Sequence, residues 1–194
     1  LLPMVPLGVN HWASAAITLC VISIVYASCI ALVQTDFKRL IAYSSIAHVG
    51  LIAAGSFSMT VEGVQGAMIQ MVSHGVNVVG LFFIVAIIRR RTQTRILSEL
   101  GGIRNVNPIF AVIFLIILLG SVAMPLSNGF VGEFLLLNGL FQYNPGMAVF
   151  AGLSVILGAV YMLRAYQTVM LGETNELTAK YSPLEKSEKT VLII

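Results

Sequence analysis

Residues 124–133 read Met124-Pro125-Leu126-Ser127-Asn128-Gly129-Phe130-Val131-Gly132-Glu133, and they interrupt an otherwise apolar run from 108 to 141. Pro125 lacks a backbone donor and its ring clashes with the preceding turn, while Asn128-Gly129 readily leaves helical backbone angles. The run therefore predicts two half-helices joined by unwound backbone, with the break at Pro125, Asn128 and Gly129. At membrane depth, non-helical backbone persists only where protein or a water-filled cavity satisfies its polar groups. Glu133 follows about one turn into the second half-helix. Facing lipid there, a carboxylate would cost roughly 2.5–3.5 kcal/mol. Glu133 is thus either a functional group facing a hydrated interior or a packing partner hydrogen-bonded to a neighbouring helix.

The rest of the chain supports a membrane reading. Apolar residues make up 58% of the 194 and charged residues 10%, and the mean hydropathy is +0.94. A soluble domain carries about 25% charged residues, so the composition predicts an all-α polytopic membrane protein and excludes a large soluble core. The chain opens Leu1-Leu2-Pro3 without an initiator methionine and closes on Val191-Leu192-Ile193-Ile194 as a new apolar run begins, which predicts a piece of a longer protein. The first apolar run has neither the basic flank nor the small-residue cleavage site of a signal peptide. Cys20 and Cys29 are nine residues apart on one predicted helix, about 13 Å, too far for a disulfide.

Five spans follow from the hydropathy, within one transmembrane domain over 1–194: 12–34, 37–56, 64–88, the broken run 108–142, and 147–171, with a further span starting at 190. Residues 1–11, with Pro3, Pro6 and Gly8, read as a connector, and Trp12 as an interfacial anchor. Asp36 is placed to cap the second span. The stretch 92–107, containing Gly101-Gly102, and the charged stretch 173–189 read as loops outside the membrane.

With five spans alternating sides, all eleven Lys and Arg residues fall at or near one face: Lys38, Arg39, Arg89, Arg90, Arg91, Arg95, Arg104, Arg164, Lys180, Lys186 and Lys189. The positive-inside rule makes that face cytoplasmic, and the net charge of +3 then reflects topology rather than nucleic-acid binding. No basic surface interleaved with aromatics argues for a nucleic-acid partner.

Depth along the spans groups the ionisable residues. At about 1.5 Å per residue, His48 lies about 18 Å in from the basic side and His74 about 16 Å in from the other, both near the middle of a core about 30 Å thick. Glu133, at the break, is central too. His74 has Gln70 at i−4 and Asn77 at i+3, and His48 has Ser44 at i−4 with Ser45 beside it, so each histidine carries polar company along its helix. Histidine suits proton transfer because its ordinary pKa of about 6.5 lets it load and release a proton near neutral pH. The alternative for each is an interhelical hydrogen bond that packs helices. Lys38 reads either as the mouth of a cytoplasmic path or as a topology determinant beside Asp36.

Three motifs in order then carry a resemblance. Residues 34–48, Gln34-Thr35-Asp36-Phe37-Lys38-Arg39-Leu40-Ile41-Ala42-Tyr43-Ser44-Ser45-Ile46-Ala47-His48, residues 66–75 around Gln70 and His74, and Met124-Pro125 with residues 128–134 closely resemble the antiporter-like subunit M (mitochondrial subunit 4) family of proton-translocating NADH:quinone oxidoreductase, respiratory complex I. The resemblance implies the second half of an inverted-repeat antiporter-like fold with one broken helix. By resemblance, Glu133 matches the broken-helix glutamate toward the exit, His48 and His74 the hydrated relay, and Lys38 a basic residue at the cytoplasmic end. Gln70, Asn77 and Ser44 stand as supporting polar groups.

The implied setting is a bacterial inner membrane with the basic loops cytoplasmic. The implied partners are the lipid bilayer, protons and the other membrane-arm subunits of complex I. The resemblance implies no cofactor or metal in this chain; NADH, FMN, iron–sulfur clusters and quinone act elsewhere in the complex. The residues also admit an Mrp-type Na⁺/H⁺ antiporter subunit, a membrane-hydrogenase antiporter-like subunit, or a purely structural membrane subunit. Glutamate rather than lysine at 133 favours the subunit M pattern.

Overall fold

The computed structural model describes Met4, residues 6–179, Tyr181 and residues 184–193. The expectations placed on Leu1, Leu2, Pro3, Lys180 and Ile194 lie outside the described residues. Nine helices are described: α1 (Pro6–Val33), α2 (Phe37–Phe57), α3 (Val61–Thr92), α4 (Ile103–Val106), α5 (Pro108–Ser121), α6 (Asn128–Tyr143), α7 (Pro145–Met170), α8 (Glu176–Ala179) and α9 (Lys186–Ile193). A 3₁₀ turn, Leu97–Glu99, precedes α4.

Local chemistry starts these helices where it should. Asp36 caps α2, its Oδ1 accepting from the backbone of Lys38 at 2.8 Å and Arg39 at 3.1 Å. Thr60, Asn107 and Asn144 cap α3, α5 and α7 in the same way. Proline opens α5 and α7, where its missing N–H costs nothing. Pro6 does the same for α1. The expected connector over 1–11 is therefore corrected from Pro6 onward: proline at a first helical position starts a helix rather than preventing one. The last helix likewise begins at Lys186 rather than 190.

The helices α1, α2, α3 and α7 are each long and apolar enough to cross a membrane. Helices α5 and α6 have 14 and 16 residues, about 21 and 24 Å, each short of a core about 30 Å thick. The unwound backbone between them is 122–127, with Pro125 inside it. Helix α5 ends in a Schellman motif: Ala123 takes φ 52°, the Met124 N–H reaches the Leu119 carbonyl at 3.1 Å, and the Ala123 N–H reaches Gly120 at 3.4 Å. Leu126 follows at φ 74°. Asn128 and Gly129, expected in the break, instead form the first turn of α6. Here the left-handed positions fall on alanine and leucine, held by the closing hydrogen bonds, and glycine is kept for close packing.

Two apolar cores form. One gathers Phe37, Ile41, Leu81, Ile84, Ile88, Phe110, Phe114 and Leu118; the other gathers Ile17, Ile24, Leu51, Ala67, Leu136 and Leu140. Between these sets the inward-facing residues are polar: Ser44 and His48 on α2, Gln70, Ser73 and Asn77 on α3, and Glu133 on α6, with Asn128 of α6 bonded to Asn77. A polar layer thus crosses the bundle at mid-length, with apolar core on either side of it.

The basic end is stitched by backbone and ions. The Phe37 N–H donates to the Arg95 carbonyl at 2.9 Å and the Leu97 N–H to Thr35 at 2.8 Å, joining the α1–α2 turn to the loop after α3. Leu97, Leu100 and Ile103 from that loop are buried, so it seals the bundle rather than hanging free. Arg91 pairs with Glu188 of α9 at 2.5 Å, both side chains under 10% exposed, and its guanidinium lies 5.0 Å over the Tyr181 ring. Burial pushes the Tyr181 phenol up to about 12, against the pull of the Arg91 hydrogen bond. Burial also raises the Glu188 carboxyl, but the Glu185 N–H and the Arg91 guanidinium outweigh it and hold the group below its ordinary value.

Candidate functional site

Helix packing brings the mid-depth groups together. Helices α3 and α6 meet through glycines: a Cβ on Gly66 would lie 2.8 Å from the Leu136 backbone nitrogen, and one on Gly139 would lie 2.5 Å from the Gly63 nitrogen. Small residues let backbones approach this closely in a membrane, where van der Waals packing holds helices together. That approach sets Glu133, 4% exposed, against α3 and α2.

Glu133 Oε1 lies 3.2 Å from His48 Nε2 and accepts from Gln70 Nε2 at 3.4 Å. His48 Nδ1 lies 2.8 Å from the Ser44 carbonyl oxygen and donates to it, since a carbonyl only accepts. Proton exchange is therefore confined to Nε2, the nitrogen facing Glu133. The His48 and His74 rings stack, their centroids 5.2 Å apart and their planes at 24°. His74 Nε2 pairs with the Ser45 hydroxyl at 2.9 Å. From α7, the buried Tyr161 hydroxyl donates to Ser44 Oγ at 2.9 Å.

A second set of contacts ties the broken crossing to α3. Ser73 Oγ donates to the Asn128 carbonyl at 2.8 Å, and Asn77 and Asn128 exchange amide hydrogen bonds at 3.2 and 3.3 Å. These fasten the carbonyl and the side-chain amide of Asn128, the first residue of α6, to α3.

The sequence expectations are thus partly redistributed. His48, His74, Glu133, Gln70 and Ser44 converge in one cluster. Asn77 lies on α3 with Gln70, but it serves the start of α6 while His74 turns to α2, so the expected stripe is shared between two neighbours. Lys38 is exposed at the basic end of α2, ten residues from His48 or about 15 Å along the helix, and takes no part in the cluster. Ser73 and Tyr161 escaped the sequence reading. A tyrosine inside an apolar span was the available signal for the second; Ser73, one polar residue among many, offered none. Among the described residues, no group of three or more His, Cys, Asp or Glu side chains could hold a metal ion.

Four long apolar helices, with the shorter apolar α5 unwinding ahead of the buried carboxylate on α6, define an integral, multi-pass, all-α membrane protein of antiporter-like fold. The chain belongs to the NADH:quinone oxidoreductase/Mrp antiporter transmembrane family, whose profile matches residues 1–158. It is 46% identical over 181 residues, 93% of the chain, to NADH-quinone oxidoreductase subunit M of Rickettsia prowazekii, covering 37% of that protein. It is 37% identical over 193 residues, 99% of the chain, to NADH-ubiquinone oxidoreductase chain 4 of Marchantia polymorpha, covering 39% of it. A chain of respiratory complex I from Thermus thermophilus superposes with a TM-score of 0.93 at 32% identity, over 99% of this chain and 40% of that one. A chain of the Mrp complex from Dietzia sp. DQ12-45-1b shares the fold, with a TM-score of 0.80 at 20% identity over 84% of this chain and 31% of that one. The chain therefore spans about two fifths of the length of the curated relatives it matches.

Proposed function

We propose that this chain is part of a proton-translocating membrane-arm subunit of NADH:quinone oxidoreductase, and that Glu133, His48 and His74 carry the proton. The supporting observation is the contact of His48 Nε2 with Glu133 Oε1 at 3.2 Å, inside a polar layer bounded by apolar core on both sides. Because Nδ1 is committed to the Ser44 carbonyl, the two groups share protons along one line, and the charge on each depends on the other. An intramembrane pair of this kind marks an ion or proton path by default.

In this reading the chain forms one transmembrane domain of five crossings in a bacterial inner membrane, with the basic end cytoplasmic. Its partners are the other membrane-arm subunits, and the NADH, flavin, iron–sulfur and quinone chemistry lies elsewhere in the complex. Electron transfer there shifts charge along the arm, and the His48–Glu133 pair responds electrostatically. Lys38 acts in topology rather than in the relay, as its exposure and distance support. Gln70, Ser44 and Asn77 hold the relay and the break in place.

The test is NADH-driven proton pumping in inverted vesicles carrying Glu133→Gln in the full-length parent, with assembly followed by native gel. Lost pumping in an assembled complex is expected. Normal pumping would remove Glu133 from the path, and sodium-dependent transport indifferent to NADH would move the protein to the antiporter reading.

A further inference from the structure

Gln70 is 3% exposed, and its two amide atoms are treated unequally. Its nitrogen donates to Glu133 Oε1 at 3.4 Å, while its oxygen is buried and, among the described residues, meets no hydrogen-bond donor. The side chain lies over the bare Cα of Gly132, where a Cβ would come within 2.3 Å of Gln70 Oε1. A buried, unpaired amide oxygen calls for an explanation, because such atoms are almost always satisfied.

Counting protons supplies one. His48 Nδ1 donates to the Ser44 carbonyl in every state, so with one proton between Nε2 and Oε1 the pair is satisfied and the Gln70 nitrogen fits the acceptor oxygen. With two protons, His48 donates from both nitrogens and Glu133 carries an O–H that must find an acceptor. The orphaned amide oxygen lies on the same side chain that already touches Glu133. Turning the amide about its last torsion exchanges nitrogen for oxygen with almost no change of shape.

Resting on the proposed function, we infer that Gln70 is a two-position partner of the His48–Glu133 pair: its nitrogen donates to the carboxylate when the pair holds one proton, and its oxygen accepts the acid O–H when the pair holds two. Loading adds one proton and forms one O–H bond on Glu133; release breaks that bond and restores the carboxylate, with no electron moved. Gln70 is a positioning residue that steadies the loaded state without carrying the proton itself.

The experiment uses the complete oxidoreductase in inverted vesicles. Infrared difference spectra across pH locate the Glu133 carboxylic C=O band as the one absent from Glu133→Gln. In Gln70→Leu that band is expected to shift, and NADH-driven pumping to fall about tenfold, the factor carried by one hydrogen bond of about 1.4 kcal/mol. Gln70→Met, unbranched like glutamine, repeats the measurement if leucine impairs assembly. In the unsubstituted complex grown on amide-¹⁵N glutamine, a side-chain amide band must move as the acid band appears. A band that stays put in the variants, or an amide signal that ignores the acid band, overturns the role for Gln70. If Glu133→Gln pumps normally, the functional reading fails instead; if it does not pump while the acid band ignores Gln70, only the present inference fails.

Discussion

The polar layer at mid-bundle and the ionic cluster at the basic end hold buried carboxylates by opposite means. Glu188 has a full-time cation, Arg91 at 2.5 Å, with Tyr181 against the guanidinium. Glu133 has a histidine, which is a cation only when protonated, and an amide. A permanent ion pair fixes its geometry and gives up any choice of charge state. A histidine–glutamate pair keeps that choice and relies on packing for its geometry. The difference teaches where rigidity has to come from: at the basic end from the ions themselves, at mid-bundle from the backbone seam that surrounds them.

Breaking the seam should therefore have the largest effect of any single change. A Cβ on Gly139 would sit 2.5 Å from the Gly63 nitrogen, 2.6 Å from its Cα and 2.6 Å from Thr60 Oγ1. Two of those are backbone atoms that cannot rotate away. Gly139→Ala should force α3 and α6 apart, cost about 3 kcal/mol, and lower the yield of assembled complex on a native gel. Gly75→Ala on the same helix pair's outer side meets nothing within 4 Å and should assemble normally. Equal yields from the two would show that α3 and α6 do not depend on this approach.

The ionic end gives the next effect. Glu188→Gln takes the carboxylate from Arg91 and should weaken the docking of α9 by about 1 kcal/mol or more, the scale of one hydrogen bond to a charged group, read as faster proteolysis of the 184–193 stretch. Glu185→Gln should change almost nothing, since Arg90–Glu185 is 3.7 Å apart with both side chains more than half exposed. The pH dependence has a definite sign. Because the Glu188 carboxyl is held below its ordinary value, its stabilisation is complete above about pH 4.3 and fades as pH falls through the lowered folded value. Raising pH to 8 should leave docking unchanged, and Glu188→Gln should abolish the acid sensitivity of this segment.

The sequence made much of this legible, for identifiable reasons. Hydropathy located the four long apolar helices because about 20 apolar residues are needed to span a bilayer, and Pro125 located the unwound backbone after α5 because a ring without an N–H cannot continue a helix. It misplaced Asn128 and Gly129, since their propensity for turns says nothing about a neighbour. Ser73 and Asn77 hold Asn128 in the first turn of α6, and the Gly120 carbonyl, 2.5 Å from where a Gly129 Cβ would sit, requires glycine there. Depth counting set His48, His74 and Glu133 at one level, but a level is a plane, and which helix faces meet within it is tertiary information. The same limit hid Tyr161, which reaches Ser44 from α7, 117 residues away in the chain.

The smallest effect should come from the amide pair that joins the two regions' logics, using fixed neutral groups inside the polar layer. Asn77 and Asn128 each give and receive one hydrogen bond, so removing either takes both bonds from the other. Asn77→Ala and Asn128→Ala should each destabilise by about 1 kcal/mol. Their double variant should fall short of the sum by about 0.6 kcal/mol, because interhelical hydrogen bonds in membranes are typically worth about that much. Denaturation of the purified complex in detergent would measure the cycle. A coupling near zero would mean that the glycine seam alone sets the start of α6, and that Glu133 owes its place beside His48 to close packing rather than to the amides. A coupling well above 1 kcal/mol would assign part of that positioning to the break itself, making Asn128 as much a determinant of the His48–Glu133 distance as the glycines.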